Sequence, residues 1–199
     1  MVTPIILASQ SQIRQDLLSR AGISFTAQPA RIDEQMITAA LRAEGVAARD
    51  IADALAEAKA KKVSSKNPAA LVIGCDQVLS FGDHILSKPD TPETALSQLK
   101  AMRGKTHSLF SAAVIFVGAE PVWRHVGRVN MVMRTVSDAY LHAYVTRNWD
   151  SIRHAVGCYK LEEEGVRLFS RVDGDFFHVL GLPLSELITF LSMRGDIDT

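Results

Sequence analysis

The stretch Leu71-Val72-Ile73-Gly74-Cys75-Asp76-Gln77-Val78-Leu79 reads as a buried strand, bounded by Asn67-Pro68 before it and Phe81-Gly82-Asp83-His84 after it. One carboxylate, Asp76, stands in the middle of this apolar run. An unpaired buried carboxylate costs as much as a domain's whole stability margin, so Asp76 requires a cation, a metal or hydrogen-bond donors. Gly82-Asp83 suits a tight hairpin turn, which doubles the chain back through Ile85-Leu86 and brings Lys88 close to the level of Asp76. Residue types leave two readings open: an aspartate that caps a turn or pairs with a structural lysine, and an aspartate placed for chemistry.

Upstream of this strand, Arg49 to Ser65 has helical periodicity. At about 100° per residue, Asp53, Glu57 and Lys61 form a solvated face, and Ile51, Leu55 and Val63 lie opposite. Lys59 falls on the apolar side, either as a snorkelling stem or as a charge held at an internal site; Lys62 lies near the same face. Arg31-Ile32-Asp33-Glu34 opens a helical run through Leu41, and its two carboxylates are either complements to the helix dipole or metal ligands. At the start of the chain, a strand from Pro4 to Ala8 leads through Ser9-Gln10-Ser11 into a helix from Gln12 to Arg20, stopped by Gly22. A strand, a hydroxyl-rich loop and a helix N-terminus make a natural anion site, and Arg14 adds a fork of donors for phosphate. The plainer reading of the serines is capping. Ile23 to Pro29 reads as a second strand.

Downstream, Thr91-Pro92-Glu93 starts a helix that buries Leu96 and Leu99 and ends at Gly104. Lys105-Thr106-His107 leads into a strand through Phe116, Gly118 to Pro121 turns the chain, and Val122 to Val136 returns it. Trp123, Val126, Val129, Met131 and Met133 read as core. Ser137-Asp138 caps a helix containing Tyr140, Leu141 and Tyr144, and Asn148 to Gly165 is irregular, its Glu162-Glu163-Glu164 run reading as a solvated loop. Strands are expected over Val166–Val172 and Phe176–Leu180, separated by a turn at Asp173-Gly174-Asp175, and a last helix over Leu184 to about Met193. Strands alternating with helices, plus two hairpins, indicate one α/β domain over residues 1–199 with a mixed sheet.

Composition bounds the partners. Of 199 residues, 22 are basic and 22 acidic, which leaves no broad electrostatic footprint for a nucleic-acid polymer or an anionic membrane. With no run of about eighteen apolar residues and no signal-peptide core, a cytoplasmic protein is expected. Cys75 and Cys158 match no metal or redox spacing and read as two reduced buried thiols. His107 reads as structural.

Seven short motifs occur in order along the chain: Ile6-Leu7-Ala8-Ser9-Gln10-Ser11 with Arg14; Ile32-Asp33-Glu34; Ala58-Lys59-Ala60; Val72-Ile73-Gly74-Cys75-Asp76; Lys88-Pro89; Gly104-Lys105-Thr106-His107; and Gly174-Asp175 through Gly181-Leu182-Pro183. Together they resemble the Maf family of nucleoside triphosphate pyrophosphatases. The resemblance implies a two-lobed α/β fold shared with inosine-triphosphate pyrophosphatases (Maf/Ham1), with a mixed twisted sheet, a central cleft and, often, a homodimer. It also implies cleavage between the α and β phosphates with help from a divalent metal. On that footing Asp76, Lys59 and Lys88 are the expected catalytic residues, and Ser9, Ser11, Arg14, Gln77 and Glu162 the expected substrate contacts. Asp33, Glu34 and Asp76 are the expected ligands of magnesium, with manganese as second choice; oxygen ligands suit such ions, and no cysteine–histidine cluster suits zinc. Asp76 either orients the attacking water as general base or shares the metal that activates it.

Departures from the family pattern bear on specificity. Gln12-Ile13 stands where most members have Pro-Arg, and Asp76-Gln77 and Val156-Gly157-Cys158-Tyr159-Lys160-Leu161-Glu162-Glu163 replace the common Asp-Thr and Ala-Gly-Ala-Tyr-Gly-Ile-Gln-Gly. Asp-Gln and an acidic residue at position 162 resemble the subgroup acting on 7-methyl-GTP rather than that acting on dTTP and UTP. A carboxylate there accepts from guanine N1–H and the exocyclic amine and favours a positively charged methylated base. A different class of function is a nucleotide-binding regulator of septum formation with little turnover. A covalent aspartyl phosphatase is disfavoured by Val78, where such enzymes carry a second aspartate.

Overall fold

The apolar run around Asp76 forms β3 (Leu71–Phe81), buried over most of its length, in the computed structural model of the chain, which describes residues 3–198. Its first three residues pair in parallel with β1 (Ile5–Leu7), and its last three pair antiparallel with β4 (His84–Leu86). Along its other edge it runs antiparallel to β5 (Thr106–Val117) from Leu71 to Ser80. Gly74 to Val78 therefore have a strand partner on one side only, and Asp76 sits where the other edge is open. The full order is β2 (Thr26–Ala27), β1, β3, β5, β6 (Glu120–Met133), β7 (Phe169–Asp173), with β4 on β3. Parallel pairing at β1 and antiparallel pairing elsewhere make the mixed sheet that the sequence indicates.

Helices cover both faces. Val72 and Val78 of β3 face α3 (Ala48–Ser64) in one apolar cluster, with α2 (Glu34–Ala43) packed at its margin. Ile73 and Cys75 face α1 (Gln12–Arg20) and α7 (Leu184–Arg194) in a second. Leu79 belongs to a third cluster, built by α4 (Pro92–Met102) and α5 (Asp138–Ile152). One strand thus joins the cluster beyond the open edge to the two before it, which is the physical form of two lobes with a cleft between them.

Several boundaries differ from expectation. The second strand contracts to Thr26–Ala27. Phe176–Leu180 is not a strand: Asp175 accepts from the amides of Phe177 and His178, starting a short helix α6 (Phe176–Val179), and Gly181 at φ 90° ends it. Its apolar composition suits a strand, but the local carboxylate wins. α5 runs on to Ile152, and residues Glu164–Leu168 form a 3₁₀ turn before β7 starts at Phe169. The β5–β6 turn narrows to Gly118-Ala119, both left-handed, so Pro121 already lies in β6. Asp53 and Glu57 are not simply solvated, because Arg124 of β6 donates to them at 2.6 and 2.7 Å. Cys75 and Cys158 are free buried thiols, held protonated by burial at about 11 and about 12. Among the described residues no helix is long and apolar enough to cross a membrane.

Candidate active site

The site begins with a missing side chain. A Cβ on Gly74 would lie 2.2 Å from the Ala56 carbonyl oxygen and 2.6 Å from the Ala60 nitrogen, so glycine is what lets α3 settle directly on β3. Lys59, beside Ala60, is thereby carried to Asp76, two residues along the same face of the strand. Its ammonium lies 2.6 Å from Asp76 Oδ1 and 2.8 Å from Glu34 Oε1, with Lys59 and Asp76 both buried. Glu34 reaches this point because it is the first residue of α2.

The open edge of β3 is occupied by Arg14. Its Nε donates to the Gly181 carbonyl at 2.7 Å, and Nη1 donates to the Cys75 carbonyl at 3.2 Å and Ser9 Oγ at 3.4 Å. Ser9 Oγ also accepts from the Ser11 amide, while the Ser11 hydroxyl makes no capping bond on α1. Strand edge, hydroxyls and guanidinium therefore meet at the first turn of α1.

Burial dominates the electrostatics of Asp76. It pushes the carboxyl above the usual carboxylate range, against the opposing pull of Lys59 and Arg14 and with some help from Glu34. Glu34 is pushed up by burial too, but Lys59, with Lys88 and Arg14, holds it below the usual range. Lys88 is exposed and acts on Glu34 through charge, which sets it at the rim. Of the expected residues, Ser9, Ser11, Arg14, Glu34, Lys59 and Asp76 converge, with Lys88 beside them.

Three others are elsewhere. Asp33 is not part of the carboxylate pair, because its Oδ1 accepts from the Met36 amide at 2.9 Å as the cap of α2. Gln77 points to the opposite face, as strand alternation requires, and its Nε2 donates to Ser111 Oγ and the carbonyls of His178 and Val179, each at 3.0 Å. Glu162 is exposed and lines a separate cavity of about 710 Å³ with Ile13, Leu17, Phe176, Phe177 and Leu180. Ile13 precedes Arg14 and Leu180 precedes Gly181, so this cavity adjoins the Arg14 seat. The cavity's two phenylalanines escape a sequence reading that spends them on a strand, and the Gly181 carbonyl is a backbone group with no side-chain signal.

Two carboxylates that both contact one ammonium nitrogen are close enough to share a hydrated magnesium ion, and only Oδ1 of Asp76 is hydrogen-bonded among the described residues. Glu34 and Asp76 have the hard-oxygen chemistry such an ion takes.

A family model described as Maf-like protein matches residues 4–194. The chain is 62% identical over 199 residues to a nucleoside triphosphate pyrophosphatase of Ruegeria pomeroyi, covering the whole of both chains. It is 48% identical over 192 residues to one of Sphingopyxis alaskensis, covering 96% of this chain and 97% of the relative. A 7-methyl-GTP pyrophosphatase of Brucella abortus is 44% identical over 198 residues, again across both chains in full.

Proposed function

This chain belongs to the Maf family, and from that premise we propose that it hydrolyses nucleoside triphosphates to the monophosphate and pyrophosphate at the open edge of β3. The observation that carries the reading is the Lys59 ammonium held between Asp76 and Glu34 beside the buried Arg14. Binding a polyanion alone is weakened by a carboxylate at its centre; a carboxylate with its basicity raised by burial suits proton transfer.

In the proposed reaction the triphosphate lies against Ser9, Ser11, Arg14, Lys59 and Lys88, whose donors offset its charge. Asp76 takes a proton from water as its oxygen bonds to the α phosphorus. The α–β bridging P–O bond breaks, and pyrophosphate leaves with the electron pair. Glu34 and Asp76 would hold a magnesium ion, or manganese in its place, which neutralises phosphate oxygens when bound. Asp33 serves by shaping the start of α2, and Gln77 by fastening α6 to the sheet.

The cavity beside α1 is the proposed base site. Phe176 and Phe177 offer aromatic faces, and Glu162 accepts from guanine N1–H and its amine while attracting the positive charge of a 7-methyl base. The reading extends to a cytoplasmic enzyme acting on free nucleotides as a homodimer. Hydrolysis in ¹⁸O-water tests the bond cleaved: label in the monophosphate supports attack at the α phosphorus, and label in pyrophosphate contradicts it. Glu162→Gln is expected to lower kcat/KM for 7-methyl-GTP about tenfold relative to GTP.

A further inference from the structure

On the sheet face opposite Asp76, three side chains from three elements converge. Trp123, His125 and Gly127 alternate along one face of β6, His178 comes from α6, and Glu186 from the first turn of α7. His178 Nε2 lies 3.2 Å from Glu186 Oε2, and His125 Nε2 lies 3.7 Å from Glu186 Oε1. One ligand atom from each residue falls within 4.8 Å of the other two. We propose that these residues bind one divalent transition metal of the zinc class, with solvent completing the coordination.

The site is built into the fold. A Cβ on Gly127 would stand 1.9 Å from His178 Nδ1, so the imidazole occupies the space a side chain would fill, and His178 is only 6% exposed. The His125 ring stacks on Trp123 at 6.3 Å, and Trp123 stacks on Phe190 of α7 at 5.5 Å. The His178 imidazole is thus held in place before any ion arrives, while His125 is supported on one side by Trp123 and stays partly exposed.

Donor chemistry selects the ion. Two imidazole nitrogens and one carboxylate oxygen suit zinc, cobalt or nickel, whereas magnesium takes oxygens. Zinc–ligand bonds of about 2.0–2.2 Å put tetrahedral ligand atoms roughly 3.3–3.5 Å apart. The His178–Glu186 spacing already matches, and the partly exposed His125 and Glu186 have room to close the remainder.

An ion here staples α6 and α7 to β6. It would therefore fix the segment whose His178 carbonyl accepts from Gln77 and Ser111, and whose Gly181 carbonyl seats Arg14.

The test is titration of chelator-treated full-length protein with Co²⁺ and Zn²⁺ in excess Mg²⁺, which fills oxygen-only sites. Visible absorption, calorimetry and the melting temperature are the readouts. One cobalt per chain with a tetrahedral-type spectrum, displaced by zinc, is expected, together with a zinc-dependent rise in Tm. His125→Asn and Glu186→Gln, at partly exposed positions that keep the far-UV spectrum of the parent, are expected to weaken binding at least tenfold and remove the Tm rise. Unchanged affinity in His125→Asn would overturn the proposal by locating the ion elsewhere. Absence of stoichiometric uptake by the parent protein would overturn it too, leaving only a carboxylate–histidine hydrogen-bond network.

Discussion

Asp76 carries its charge where burial opposes it, and Lys59 is the nearest cation that offsets this cost. A base must be ionised to act, so activity is expected to fall on acidification through a pKa above the ordinary aspartate range. Removing Lys59 takes away the largest opposing influence and raises that pKa further. Lys59→Met is therefore expected to move the acid limb of kcat/KM to higher pH, with lower activity throughout; an acid limb that stays in place would contradict the ion pair's role. Lys59 was readable as anomalous from helical periodicity, because it falls on the apolar side of α3. Asp76 was readable too, as a carboxylate in an apolar strand, but the contact that brings the two together was not, since Gly74 acts through space it leaves empty and no periodicity records that.

Elements position these groups through close contacts. Gly74→Ala is expected to force α3 away from β3, costing about 1–3 kcal/mol by overpacking and lowering kcat far more than a comparable destabilisation elsewhere. Denaturant melts paired with kinetics check this, and preserved activity would show that α3 can shift without consequence. The acidic run was legible as acidic but not as structure. Glu164 accepts from Arg147 at 2.6 Å, Asn148 at 2.8 Å and the Tyr140 hydroxyl at 3.2 Å, tying α5 to the 3₁₀ turn, and these bonds bring its carboxyl down to about 2. Because the folded pKa is depressed, the bonds stabilise fully above the ordinary glutamate range, and that contribution fades as pH falls toward 2. Glu164→Gln is expected to lose about 1 kcal/mol at neutral pH, with the difference from wild type closing in acid. Charge runs pattern no period, so only tertiary neighbours distinguish Glu164 from the exposed Glu162.

Across the whole molecule, the fold class was visible because strand and helix signals alternate cleanly, and the strand-to-helix turn at Ser9–Ser11 and the bounds of α1 agree with the sequence reading. The cleft was not derivable from pattern, because it arises from β1 and β4 pairing with opposite ends of one strand edge, a long-range choice. Global stability should carry another buried group's signature. His107 bonds Tyr159 at 2.7 Å, leaves Nδ1 buried without a partner among the described residues, and burial lowers its pKa to about 4. The unfolded chain takes a proton below about 6.5 and the folded one does not until about 4, so stability falls by about 3 kcal/mol across that window. His107→Gln is expected to flatten this part of the stability–pH curve; an unchanged slope would assign the acid sensitivity to other groups. The central claim, that Asp76 serves turnover at the open edge of β3, is tested most directly by pyrophosphate release with Mg²⁺ from 7-methyl-GTP, GTP, CTP, UTP and dTTP, in wild type and Asp76→Asn. Selective release is expected, dropping about 10²- to 10⁴-fold in the variant while nucleotide binding changes far less. Nucleotide binding without release from any substrate, or release that survives in Asp76→Asn, would contradict it.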